Sequence, residues 1–260
     1  MVRRSETMMA AERLAQIQAI TDDRTFVTVN QLSDLLNVSE ITIRRDLSIL
    51  EEQGGLERTH GGAKSLRSAP DVPFAMRTER EVGAKRAIGE AAAALVEEGE
   101  VIFLNAGSTI LAMARALAGR HNLTVVTNAY TIVPVLANAP HIQLVVTGGM
   151  ARQQTGSLVG PIAERMVSEL RVDRAFLGAT GVDMAAGITN SSLDEVELQR
   201  AVIRIAGAVY VLADHTKFGK VSFARAAPLA ALVAVVTDGQ IAEETRATYA
   251  AHVNLVLAKS

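Results

Sequence analysis

The chain has 260 residues, 49% of them apolar and 21% charged, with a net charge of −2 and no cysteine. That length allows one large or two ordinary domains, and the lack of cysteine excludes disulfides and thiolate metal sites. No apolar run approaches the roughly 18 residues of a membrane span. The opening MVRRSETMMAAERL has no apolar segment after its arginines, so no signal peptide is expected either. A soluble, cytoplasmic protein is the expectation. Aliphatic residues dominate the apolar share, beside six Phe, three Tyr and no Trp, as suits an α/β core of buried strands and Ala-lined helices.

Three short helices are expected first. One runs from about Thr7 to Thr21, with Leu14 and Ile17 on one face. The second begins in FVTVNQLSDLL, where Thr28 is an N-cap, Gln31 completes a capping box, and Val27 and Leu32 are spaced as a hydrophobic staple. The third lies in VSEITIRRDLSILEEQG, capped by Ser39, with Val38 and Ile43 again at staple spacing. Only Asn37 and Val38 separate the second helix from that cap, the tight link of a helix-turn-helix; a generic αα-hairpin reads the same way. At about 100° per residue, Ile43, Leu47 and Leu50 fall within an arc of roughly 60°, with Arg45 and Ser48 opposite and Thr42 and Arg44 on the flanks. Short polar side chains and arginines near a helix start are what base edges in a major groove require. A solvated face, its arginines paired to Asp46 or a nearby Glu, fits the spacing equally well.

The next stretch favours DNA. LERTHGGAKSLR alternates and then turns at Gly61-Gly62, as a β-ribbon or wing does. From Arg58 to Arg67 there are three Lys/Arg, one His and no acid, although residues 1–67 together hold nine basic and ten acidic residues. The acids gather at Asp22 and Asp23 after the first helix and at Glu51 and Glu52, so a neutral total conceals a polarised surface. The candidates for DNA contact are Ser39, Thr42, Arg44, Arg45, Ser48, Arg58, His60 and Lys64.

Residues 65–80, with Pro70 and Pro73 and no sustained period, read as a linker. From about residue 81 helices and short apolar strands alternate. A helix AKRAIGEAAAALVEEG with Gly99 at its C-cap precedes VIFL, the loop NAGST, and a helix to about Leu117. LTVVT, IQLVV, RAFLGA, AVYVLA and ALVAVV follow, separated by helix-length segments. Unalternating strands between helices predict a mainly parallel sheet covered on both faces. The fold class is therefore α/β: a small winged helix-turn-helix over 1–64, the linker 65–80, and a larger α/β domain over 81–260. Ligands of such sheets bind outside the strands' carboxyl ends. Asn105 to Thr109, Thr127-Asn128, Thr147-Gly148-Gly149, Gly178 to Gly181 and Asp214 to Lys217 all lie there and are expected to line one polar crevice. Phosphate suits it, because Gly107, Ser108 and Thr109 open a helix whose free N–H groups can face an anion, and Lys217 adds a charge.

VSEITIRRDLSILEEQ followed by ERTHGGA resembles the signature of DeoR-type transcription repressors, which pair VS-x-x-TIRRDL with a downstream HGGA. Where that family more often has a single Gly, this chain has Gly54-Gly55. NAGST, TN, GG, GITNSSLDEVELQRA and LADHTKFG continue the likeness, in the order of that family's sugar-phosphate-sensing domain, a domain similar in fold to ribose-5-phosphate isomerase. The resemblance spans nearly the whole chain. It implies a repressor of a sugar or sugar-derivative operon, binding double-stranded operator DNA as a homodimer or homotetramer and modulated by a phosphorylated sugar. It also implies that Ser39, Thr42, Arg44 and Arg45 face DNA and that Asn105, Gly107, Ser108, Thr109, Thr127, Asn128, Gly148, Gly149, Asp214 and Lys217 surround the effector. Asp214 is expected to anchor its turn, and Glu197 and Arg200 to lie on a charged helix face. The family usually has Asp at the position of Asn105, so the hydrogen bonding there changes from acceptor-only to mixed.

Two other functions suit such a composition less well. A sugar-phosphate isomerase needs a positioned base, for which Asp183, Asp194, Glu195 and Glu197 are available, but no acid pair is diagnostic. An RNA reader needs aromatic platforms, and residues 1–67 contain only Phe26. No cofactor, metal or catalytic residue is expected, the five histidines being scattered along the chain.

Overall fold

The computed structural model describes residues 10–24, 26–59, 61–65 and 73–259. The chain divides into two compact units, Met1–Pro70 and Asp71–Ser260.

The first unit comprises α1 (Ala10–Arg24), β1 (Phe26–Thr28), α2 (Val29–Leu36), α3 (Glu40–Glu52), β2 (Leu56–Thr59) and β3 (Gly62–Ser65). Helix α1 runs on past Thr21, so Asp22 and Asp23 are helical rather than in a turn. Helix α2 starts as its sequence dictates: the Thr28 hydroxyl accepts from the Gln31 N–H at 3.2 Å and the Gln31 side chain accepts from the Thr28 N–H at 3.0 Å. Asn37 closes it in the left-handed region, with φ 52°. Ser39 caps α3, receiving the Thr42 N–H. Strand β3 lies between β1 and β2, antiparallel to both. Thr59 pairs with Gly62, so Gly62 lies in strand β3 rather than in the turn expected at Gly61-Gly62. Ile17, Val27, Val29, Leu32, Ile43, Leu47, Leu50, Leu56 and Ala63 form the core. The paired glycines divide two tasks. Gly54 takes a φ of 70°. Gly55 leaves room for the Gln18 amide, which donates to the Gly55 carbonyl at 3.0 Å where a Cβ would collide with it.

The second unit opens with α4 (Phe74–Glu79), whose Phe74 packs against its core, α5 (Val82–Ala93), β4 (Val101–Leu104) and α6 (Ser108–Leu117). Next come β5 (Leu123–Thr127), α7 (Val133–Leu136), β6 (Ile142–Val146), β7 (Met150–Arg152), β8 (Ser157–Val159) and α8 (Pro161–Ser168). Then follow β9 (Val172–Gly178), β10 (Gly181–Asp183), β11 (Gly187–Asn190), α9 (Leu193–Ile205) and β12 (Ala206–Leu212). The chain ends with β13 (Ala224–Ala227), β14 (Ala234–Thr237), α10 (Glu243–Ala250) and β15 (Leu255–Leu257). Seven strands form one parallel sheet in the order β15-β14-β12-β9-β4-β5-β6. Strand alternation sorts their side chains. Phe103, Val126, Ala175, Leu177, Val209, Val211 and Val235 pack toward α8 and α9. Ile102, Leu104, Val125, Phe176, Tyr210, Leu212 and Val236 pack toward α5 and α6. Helices α5 and α6 approach so closely that a Cβ at Gly89 would stand 2.6 Å from the Met113 nitrogen.

The parallel sheet agrees with the expectation, with local differences. Helix α5 stops at Ala93, so Gly99 is not its C-cap; the Gly99 N–H instead donates to the Asn122 carbonyl at 2.7 Å. Leu229–Ala231 form a 3-10 turn and the strand expected over ALVAVV begins at Ala234. The β7–β8 hairpin and the antiparallel sheet β10-β11-β13 carry no periodic signal and were not foreseen.

Candidate functional site

In the first unit, Ile43 and Leu47 are at most 1% exposed, and Leu50 is buried with them. The opposite side of α3 presents Ile41, Arg44, Arg45 and, half-buried, Ser48. Arg44 pairs with Glu40 one turn back at 3.5 Å, a weak exposed contact. Asp46 is not a partner of these arginines. It turns inward, 3% exposed, and accepts from Arg13 Nε at 2.6 Å and Nη2 at 3.2 Å. Among the described residues no ion pair holds Arg45. Ser48 and Arg58 contact each other: the Arg58 guanidinium donates to the Ser48 hydroxyl at 2.6 Å, while the Arg58 N–H donates to Glu51 at 3.0 Å. These bonds tie strand β2 to the recognition helix. Thr42 is half-buried, its hydroxyl 3.0 Å from that of Ser39. His60 and the Lys64 side chain lie outside the described residues.

In the second unit the sheet order fixes where a ligand can enter. Chain order reverses between β4 and β9, and at such a reversal the loops leave to opposite faces and open a crevice. Asn105 to Thr109 follow β4 and Thr180 follows β9. Gly107 N-caps α6 with a φ of 154°, open to glycine at no steric cost, and no side chain caps the helix. Its first N–H groups therefore keep their partial positive charge at the crevice.

A buried amide chain links these strand ends. Asn105 Nδ2 donates to Asn128 Oδ1 at 3.4 Å, and Asn128 Nδ2 donates to the Leu158 carbonyl at 3.2 Å. Gln199 of α9 donates to Asn105 Oδ1 at 3.3 Å and to the Gly178 carbonyl at 3.0 Å. It also accepts from Asn190 Nδ2 at 2.6 Å. All four amides are at most 6% exposed. Thr127 is fully buried, its hydroxyl donating to the Leu104 carbonyl and accepting from the Ala129 N–H, so it braces the strand ends. Gly148 is exposed, and a Cβ on Gly149 would stand 2.7 Å from the Val159 carbonyl oxygen.

The cations lie on one side. Asp214, 1% exposed, accepts from the Thr216 N–H and hydroxyl and anchors the turn that carries Lys217. Burial pushes the Lys217 ammonium below the usual lysine range; Asp214 opposes this, and Lys220, Arg77 and Arg80 reinforce it. Lys85 of α5 is 7% exposed and donates to the Arg77 and Arg80 carbonyls. Its pKa is also lowered, chiefly by burial, with Asp214 and Glu81 opposing and Lys217 and Arg77 adding to the effect. Lys85 and Ser108 share the wall of a cavity of about 480 Å³ between α4, α5 and α6, otherwise lined by groups such as Val82, Leu111 and Arg115.

Lys85, Gln199 and Asn190 were not foreseen. Lys85 stands three residues before buried Ile88, and Gln199 midway between buried Val196 and Val202. A polar residue on an otherwise apolar helical stripe was the available signal. The carboxylates an isomerase could use are engaged elsewhere, apart from exposed Asp194. Asp183 accepts from the Ala185 and Ala186 N–H groups, Glu195 accepts from Ser157 at 2.9 Å, and Glu197 pairs with Arg200 at 2.6 Å. The histidines are less scattered than their spacing implies, since the rings of His121 and His141 stack at 4.1 Å. Among the described residues no group of His, Cys, Asp and Glu could hold a metal, and no helix is long and apolar enough to cross a membrane.

A helix-turn-helix with a β-hairpin, joined to a parallel α/β unit with a crevice at its switch point, defines a ligand-responsive transcription regulator. Comparison with known proteins agrees. The family profile described as "DeoR-like helix-turn-helix domain" matches residues 13–69, and that described as "DeoR C terminal sensor domain" matches residues 80–239. The HTH-type transcriptional regulator IolR of Bacillus subtilis is 33% identical, over 84% of this chain and 87% of that protein. The lactose phosphotransferase system repressor of Staphylococcus aureus is 34% identical, over 92% of this chain and 96% of that protein. The transcriptional repressor AccR of Agrobacterium fabrum is 36% identical, over 87% of this chain and 89% of that protein. Among solved structures, ribose 5-phosphate isomerase A from Methanocaldococcus jannaschii aligns with 52% of this chain and 53% of its own, with a TM-score of 0.39 and 22% identity. The chain belongs to the DeoR family of DNA-binding transcriptional regulators.

Proposed function

We propose that this regulator represses an operon for catabolism of a sugar or sugar derivative in the cytoplasm, and that a phosphorylated sugar in the crevice of its second unit modulates operator binding. Residues 1–64 serve as the DNA-binding domain, 65–80 as the connector and 81–260 as the effector domain, working as a homodimer or homotetramer on double-stranded DNA. The protein acts by binding and has no catalytic role. Ser39, Thr42, Arg44 and Arg45 face the duplex, and Ser48 and Arg58 hold the wing against the recognition helix while lying near the phosphates with His60 and Lys64. Asn105, Asn128, Gly148 and Gly149 border the sugar.

One observation carries the effector reading: Lys85 shares a cavity wall with Ser108 at the uncapped start of α6, and Lys217 and Arg77 are close enough to act on its charge, with Arg80 acting on Lys217. Two lysines and two arginines outnumber their neighbouring carboxylates, Asp214 and Glu81, and a phosphate dianion supplies the missing charge compensation. The effector acts on DNA binding only by favouring one of two conformations.

The test uses the full chain, DNA fragments it enriches from a random pool, and a panel of pentose and hexose phosphates. Lys217→Ala keeps operator affinity but weakens the effector response about tenfold or more, as loss of a charge-assisted hydrogen bond implies. Arg45→Ala does the reverse, losing selective DNA binding while still showing a thermal shift with the effector. A Lys217→Ala protein responding at wild-type effector concentrations refutes the site.

A further inference from the structure

We infer that Ile41 reads thymine: its side chain meets the C5-methyl group of a thymine in the major groove and sets part of the operator sequence. This deepens, and rests on, the DNA-binding reading of the first unit.

Ile41 is 81% exposed, more than any other large apolar side chain among the described residues. It is the second residue of α3, two after the Ser39 cap, where a recognition helix enters the groove. At about 100° per residue, Ile41, Arg44, Arg45 and Ser48 share one stripe, centred opposite Ile43, Leu47 and Leu50. Ile41 thus lies in the middle of the polar, cationic face. An isoleucine there does nothing for the fold, since it has no place in the core of the first unit, and a β-branched residue is a poorer helix former than alanine. Scattered apolar residues on a surface need no explanation, but this one occupies the surface that must desolvate against base edges. Major-groove edges carry polar groups with one apolar exception, the thymine methyl. The flanking arginines supply phosphate or guanine contacts, and Ile41 supplies the complementary apolar one. A groove otherwise read by Thr42 and Arg45 gains from it discrimination of thymine over cytosine at one position.

The experiment takes the operator that the full-length wild-type chain enriches from a random pool and replaces each thymine, one at a time, by deoxyuridine. That exchange removes the methyl and leaves the pairing intact. Affinity is measured for wild type and Ile41→Ala at fixed salt. One or two thymines are expected where the exchange weakens wild type about fourfold, the factor for taking one methyl group out of water, while Ile41→Ala, weaker on the intact operator, is indifferent to it. Ile41→Ala is also expected to enrich sites without that thymine, and to unfold at the wild-type temperature. The inference is overturned if the two proteins give the same deoxyuridine profile, or if Ile41→Ala weakens all DNA alike while changing oligomeric state, which would assign Ile41 to assembly. A wild-type chain that enriches no sequence overturns the DNA-binding reading itself, and this one with it.

Discussion

At the scale of single residues, the sharpest departure from expectation is Asp46. Its position beside Arg44 and Arg45 invites a surface ion pair, yet it faces the interior and takes two hydrogen bonds from Arg13. The bond from Asp46 also raises the Arg13 pKa. Arg13→Met leaves the Asp46 carboxylate buried without its cation, and loss of one partner of such a pair costs on the order of 3 kcal/mol. Chemical denaturation of the full chain is expected to show the first unit melting early, with the double variant Arg13→Met/Asp46→Leu recovering much of the loss. Equal stability of Arg13→Met and wild type would mean that the pair contributes nothing. Local signals were legible at this scale: Thr28, Gln31 and Ser39 act within their own turn, so four or five residues specify them. The Arg13–Asp46 pair joins residues 33 apart, and no short-range pattern encodes it.

At the scale of elements, α9 does more than cover the sheet. Gln199 reaches from it to Asn105 after β4, Gly178 at the end of β9 and Asn190 at the end of β11, joining three strand ends through one amide. Gln199→Met keeps the volume but leaves the Asn190 donor, the Gly178 carbonyl and the Asn105 oxygen short of a partner. Each buried orphan costs about 1–3 kcal/mol. The second unit of this variant is therefore expected to unfold well below wild type in calorimetry and to bind sugar phosphate more weakly; wild-type values for both would assign the amide no such role. The strands were legible because buried parallel strands are short aliphatic runs, as in VIFL and LTVVT. The β7–β8 hairpin and the β10-β11-β13 sheet were not, since three or four residues cannot show a period. The strand ends alone carry the expectation of a crevice; Lys85 of α5 and Gln199 of α9 lie on helices, where no strand-end pattern points to them.

For the whole molecule, the proposed effector site makes ligand binding depend on pH through the two lowered lysines. Folding holds Lys217 and Lys85 below the ordinary lysine pKa of 10.5, so between their folded values and 10.5 the unfolded chain binds more protons. Stability rises with pH across that window, and below it the cost of the buried charges is fully present. A phosphate dianion bound at the proposed site would favour the protonated lysines, so its binding would take up protons and weaken as pH rises through the same window. The thermal shift produced by a sugar phosphate is expected to be largest near pH 7 and to shrink toward pH 10, with a Lys217→Met protein showing a smaller and flatter dependence. A shift that grows with pH would exclude these ammonium groups from the site.

The strand order has a further consequence during synthesis. The central pair of the large sheet, β4 with β9, joins residues 102–104 to residues 174–176, so the middle of that sheet cannot close until more than two thirds of the chain has been made. The winged unit needs nothing beyond Ser65 for its own three-stranded sheet. Because domains fold as units, N-terminal first, as the ribosome releases them, the DNA-binding sheet can form on the nascent chain before the sheet of the sensor domain can close.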